Sequence, residues 1–318
     1  MSLSLGGLLT IFTGCANTQQ TYLNIQRPAE INMAGYEKIR LDGISGQGGQ
    51  LINAKLRTAL ANTGKFTLVD RGSMTAAAQE RALSDLNAQQ DVTTANVSIK
   101  GDVLLVTPRQ ERLQQVMRDY KTGREYYVYA NQGSNTAQVS FTVTDLATSE
   151  LITTKTFTGE ASTQTDWYND NPPNIDMNGL FDNAAERVVQ QFMKTIAPYY
   201  ESIAVNIYKF PKNTANTTGQ GLFAGRQYLQ AAKAFEEALA TSQAQPEPNL
   251  KEQAQITHNI GLAYECAGNF NQAAATYQNV LALDPEGKAA PGRSSLNRVS
   301  VRQTDVGRLK QQGVLPAN

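Results

Sequence analysis

"ITHNIGLAYECAGNFNQAAATYQNVLALDP", residues 256–285, decides how the C-terminal part of this chain folds. Small residues at Gly261 and Ala273 alternate with bulky ones at Tyr264, Phe270 and Tyr277. Such a pattern lets two antiparallel helices approach at the small positions while aromatic rings fill the remaining gap. Gly268 falls between the two apolar runs. Pro285 ends the second one, because proline cannot continue a helix.

An earlier stretch, "FAGRQYLQAAKAFEEALA" (223–240), has the same rhythm. Residues 256–285 resemble a tetratricopeptide repeat, with Ile260, Gly261, Tyr264, Gly268, Phe270, Ala273, Tyr277, Leu281 and Pro285 on its key positions. Tyr228, Ala231, Phe235, Ala238 and Leu239 fit the second helix of a first, degraded repeat, although Arg226 stands where glycine is usual. Ala231 and Ala273 lie 42 residues apart, so "TSQAQPEPNL" (241–250) reads as an insertion. Two repeats need a neighbour to bury their open faces, so residues 212–290 are expected to pack on another domain or a partner. The resemblance makes Asn259 a candidate peptide contact, since first-helix residues line the repeat groove. A plain solvated face is the competing reading. Cys266 fits core packing, as a small apolar thiol does. Residues 291–318 carry five Arg/Lys against one Asp and read as a partly disordered basic tail.

Upstream, residues 28–211 read as an α/β domain, a mixed sheet with helices. "YEKIRLDGI" (36–44) alternates as a strand, "QLINAKLRTALANTG" (50–64) has helical spacing, and "KFTLVDR" (65–71) is a second strand. The loop "GISGQGGQ" (43–50) lacks the lysine and the spacing of phosphate-binding motifs, so a tight strand-to-helix turn is expected. A helix follows over 73–90. Strands are expected at 95–108, 124–130 and 136–146, with a returning strand after "DLATSEL". A helix over 179–200 places Phe181, Ala184, Val188, Phe192 and Ile196 on one stripe, and a last strand covers 202–210. This order resembles the curli-secretion channel (CsgG) family and related envelope lipoproteins, including activators of peptidoglycan synthases. Val69, Asp70 and Arg71, with Gly101 and Val103, match its recurrent steps. Channel-forming members make pores from amphipathic hairpins. Here the nearest segments are 107–138 and 159–178. "PRQERLQQVMRDYKTGRE" (108–125) is too charged for a lipid face, and two prolines make "QTDWYNDNPPNID" (164–176) a loop. Trp167 and the Tyr126, Tyr127, Tyr129 cluster read as strand aromatics with wet hydroxyls. No pore is expected.

At the other end, "LTIFTGCANT" (10–19) sets a short apolar run before Thr13-Gly14-Cys15. It resembles a bacterial lipoprotein signal, which implies a removed segment 1–14 and lipidation at Cys15. Ala16 after the cysteine resembles the sorting pattern for the outer membrane of a Gram-negative bacterium, and residues 15–27 read as a polar tether. Met1–Leu5 departs from the pattern in having no Lys or Arg.

Bulk composition narrows the function classes. Twenty-eight basic residues balance 28 acidic ones, so no net field favours nucleic acid. Two cysteines and the single His258 leave little for metal or histidine chemistry. No cofactor is expected. No nucleophile–base pair stands out, so a non-enzyme is expected. The resemblances of the leader, the α/β order and the repeat imply an oligomerising scaffold or accessory in envelope assembly or secretion, recruiting envelope proteins through its repeats. The alternative is a regulatory binder of a peptidoglycan synthase or other wall component.

Overall fold

The computed structural model describes residues 18–69 and 95–316. Cys15, Asp70, Arg71 and the helix expected over 73–90 lie outside them. In chain order the elements are β1 (Thr18–Arg27), β2 (Lys38–Ser45), α1 (Gly49–Asn62), β3 (Thr67–Val69), β4 (Val97–Arg118), β5 (Glu125–Asp145), β6 (Leu151–Gln164), α2 (Met177–Ile196), β7 (Tyr199–Tyr208), α3 (Thr214–Ala224), α4 (Tyr228–Gln243), α5 (Leu250–Cys266), α6 (Phe270–Leu283) and α7 (Gly292–Gln311). No described helix is long and apolar enough to cross a membrane. The chain divides into a sheet unit, Ala29–Tyr199 with Gln311–Val314, and a repeat unit. The latter comprises Tyr200–Lys310, the chain up to Pro28 and the last residues from Leu315.

The sheet unit holds a five-stranded mixed sheet in the order β3-β2-β4-β5-β6. β2 runs parallel to β3 and β4, whereas β4, β5 and β6 are antiparallel. Alternation in β5 sends Val139, Phe141 and Val143 into the core, where α1 contributes Ile52, Leu56 and Leu60. Asp176 caps α2 by accepting from the N–H groups of Asn178 and Gly179. The stripe of α2 is Leu180, Ala184, Val188, Phe192 and Ile196, with Phe181 only partly buried. Phe192 stacks on Phe141 at 4.2 Å between centroids. Each such buried side chain stabilises the unit by about 1.5–3 kcal/mol. In the glycine-rich turn, Gly48 takes a φ of 76° ahead of α1, and the ring of Phe181 fills the space a Cβ would need. A tight turn accounts for that glycine.

Three readings of the sequence change. First, the charged segment after Pro108 is strand. β4 and β5 pair continuously from Val97 with Asp145 to Arg118 with Glu125, apart from a bulge between Val103 and Leu105. Charged side chains are tolerated because the outer half of β4 is exposed while β5 pairs with one side of its backbone. Asp119 closes the turn by accepting from the N–H groups of Lys121 and Thr122.

Second, residues 18–27 of the expected tether are β1. It pairs with β7 in a two-stranded sheet. Leu23 and Ile25 share one side and bury against Val205, Ile207, Phe223 and Phe235. The strand expected to close the α/β domain therefore belongs to the repeat unit, and the boundaries 15–27 and 28–211 shift accordingly.

Third, the basic tail is the 20-residue helix α7. Its buried side chains are few, but Arg298 and Arg302 reach Glu265, and Arg27 reaches Asp305 at 2.7 Å. These ion pairs act beside the packing of Val299, Leu296 and Leu309.

Candidate functional site: the tandem repeat

The helices α3 to α6 form two helix pairs that match at an offset of 42 residues. A Cβ on Gly261 would lie 2.7 Å from the ring of Tyr277, and one on Gly219 would lie 2.6 Å from the ring of Phe235. Gly219 is therefore the first-repeat counterpart of Gly261, and Phe235 that of Tyr277. This places α3 as the first helix of the first repeat, which the sequence reading did not find. Its signal was the same offset, obscured by the polar residues of "TANTTGQG" (214–221). Arg226 and Gly268 also correspond, and both are left-handed, with φ of 61° and 80°. Glycine is usual there because a side chain is strained in that conformation.

The expected packing residues meet as pairs. Ala273, Tyr277 and Ile260 are buried. The hydroxyl of Tyr264 donates to Glu236 at 2.6 Å, and that bond, with burial, raises its pKa to about 12. Pro285 follows α6, which ends at Leu283.

Asn259 is fully buried and bonds to the chain's own backbone. The N–H of Tyr208, at the end of β7, donates to Asn259 Oδ1 at 2.9 Å, and Asn259 Nδ2 donates to the Tyr208 carbonyl at 2.8 Å. Asn216 Nδ2 and Gln220 Nε2 add bonds to the same carbonyl at 3.3 and 3.4 Å. A solvated face at Asn259 is thereby ruled out. Nearly every residue from Ile256 to Ala263 on α5 is buried.

A charged network that the sequence reading missed lies beside this clamp. Glu265 is fully buried and accepts from Arg298 Nε at 2.8 Å, Arg298 Nη2 at 2.7 Å, Arg302 Nη1 at 3.1 Å and the hydroxyl of Tyr277 at 2.9 Å. Burial opposes its ionisation, but hydrogen bonds and charge from Arg298 and Arg302 outweigh it and hold the carboxyl below its ordinary value. The two arginines one helical turn apart in the tail were the available signal.

His258 packs between Tyr208 and Tyr277, with centroid distances of 5.5 Å to each. Its Nε2 lies 3.2 Å from Ser295 Oγ, and its Nδ1 has no hydrogen-bond partner among the described residues. Burial, helped by the charge of Arg298, lowers its pKa to about 3, so the ring is neutral. Burial also raises the Cys266 thiol to about 12, which keeps it protonated and suits a packing role.

Comparison with known families matches residues 213–286 to the tetratricopeptide repeat. The C-terminal region is thus a repeat region, an architecture that presents surfaces to other proteins. No curated protein matches the chain. Among solved structures, a minor lipoprotein from Acinetobacter baumannii is 14% identical, with a TM-score of 0.27, covering 50% of this chain and 91% of its own. The PelC dodecamer from Paraburkholderia phytofirmans is 10% identical, with a TM-score of 0.26, covering 57% and 98%.

Proposed function

We propose that this chain is a lipid-anchored lipoprotein of the outer membrane, facing the periplasm, that works without catalysis as an oligomerising scaffold in envelope assembly or secretion. The sheet unit brings copies together, and the repeat unit recruits envelope proteins. The observation that carries this reading is the tandem repeat, whose paired glycine–aromatic contacts recur at one offset. Because the clamp at Asn259 already holds β7, recruited proteins meet the outward surfaces of the helices, where Leu229 and Leu250 are exposed. The leader ending in Gly14-Cys15 motivates the anchor.

Two measurements test it. A Cys15→Ala chain is expected to lose lipid labelling and leave the membrane fraction. Mass photometry of detergent-extracted protein is expected to show a multiple of the monomer mass. A membrane-bound Cys15→Ala chain would remove the anchor from this reading, and a clean monomer would remove the scaffold.

A further inference from the structure

The two long borders of the sheet are treated differently. On β6, side chains from α2 reach the backbone: Arg187 donates to the carbonyl of Glu160, and Gln191 donates to that of Thr158 at 3.0 Å. Among the described residues, no side chain covers the outer half of β4 in this way. Its pairing with β2 ends at Asp102, and among the described residues no strand continues along that side. Residues beyond Val103 therefore form a long border strand, on which Leu104 is 55% exposed and Val116 50%. An open border of this kind is a template for pairing with another strand.

We propose that residues 105–115 of β4 pair with the same residues of a second copy of this chain, antiparallel about a twofold axis at Gln110. This rests on the reading of the sheet unit as the part that oligomerises. A twofold axis normal to the sheet keeps the faces of both sheets aligned, so opposed residues must have numbers with an even sum. An axis at residue 109 sets Arg109 against itself, and one at 111 sets Glu111 against itself. Axes at 108 and 112 do the same with Pro108 and Arg112. Like charges directly opposed disfavour pairing, and proline offers no donor.

The axis at Gln110 avoids all four. It sets Arg109 opposite Glu111 of the second copy, and repeats that pair by symmetry. Those two side chains share a face within one chain, where Arg109 Nη2 and Glu111 Oε2 are 3.8 Å apart. Pro108 removes a single donor from the ladder in each copy. The occupant of this border is thus a strand with its own charge order reversed, which a second copy supplies.

The test uses the full chain in detergent. Sedimentation velocity is expected to show a two-copy species, or multiples of it. Arg109→Glu and Glu111→Arg should each raise the dissociation constant at least about tenfold, and the double exchange should restore it. In the proposed register, opposed Cα atoms at residue 110 lie within disulfide reach. Oxidised Gln110→Cys should therefore crosslink between copies beyond the unsubstituted chain, whereas Gln114→Cys, opposite Val106, should not. A larger assembly indifferent to both charge reversals would overturn the border pairing and leave the scaffold reading standing. A monomer would end both. Equal crosslinking at 110 and 114 would overturn the register.

Discussion

The two repeats share one skeleton and differ in what fills it. In the first, Phe235 fills the gap beside Gly219, and the core around it is apolar. In the second, Tyr277 occupies the same place, and its hydroxyl opens a buried polar network through Glu265 to Arg298 and Arg302. The first repeat meets β7 through apolar packing and two bonds to one carbonyl, from Asn216 and Gln220. The second holds two further parts of the chain through buried polar groups, β7 through Asn259 and α7 through Glu265. The difference teaches that a repeat becomes a joint when its core carries polar groups that only a specific neighbour can satisfy.

The sharpest way to break this contrast is Glu265→Gln. It leaves Arg298 and Arg302 without their buried counter-charge, so a loss of about 3–5 kcal/mol is expected in urea unfolding followed by circular dichroism. At the corresponding first-repeat position, Phe223→Leu is expected to cost less than about 1.5 kcal/mol.

Next is Asn259→Leu, which strands the N–H of Tyr208. About 2 kcal/mol should be lost, with faster hydrogen exchange at that amide. Thr217, its counterpart at the 42-residue offset, bonds only back to the carbonyl of Asn213 in its own first turn. Thr217→Ala should change stability by under about 0.5 kcal/mol.

pH separates the repeats as well. Unfolded, His258 takes up a proton near the ordinary histidine value of about 6.5. Folded, it does so only near about 3. Between those values the unfolded chain holds the extra proton, so acidification favours unfolding. From pH 7 to 5 the loss is about 2 kcal/mol. Glu265, whose pKa is lowered, adds its own loss further down, through the carboxylate range. A His258→Asn chain should show a flatter melting temperature between pH 7 and 5, and an unchanged slope there would disprove the assignment to His258.

One change has the opposite sign. Arg226→Gly relieves the left-handed strain that Gly268 avoids in the second repeat. A gain of about 1 kcal/mol is expected, seen as a higher denaturation midpoint.

Legibility followed the physical source of each element's stability. The second repeat was plain because its contacts are between residues of one short segment, Gly261 with Tyr277 above all. The mixed sheet was plain because Val139, Phe141 and Val143 alternate inward. β1 was hidden because only Leu23 and Ile25 mark it, and their burial depends on residues such as Val205 far along the chain. α7 was hidden because its anchors are arginines, which in sequence look like solvated charge until Glu265 is seen beneath them. The outer half of β4 was hidden because its pairing with β5, not its own pattern, makes it a strand. The bond from Asn259 to β7 was hidden, since the side chain's chemistry is the same for a guest peptide and for the chain's own backbone.

The strand at Thr18–Arg27 changes what an acylated Cys15 would mean mechanically. Only Ala16 and Asn17 separate that cysteine from the folded repeat unit. Three residue steps span at most about 10 Å. Were Cys15 acylated, the start of β1 would be moored close to the headgroups, not floated on a long line.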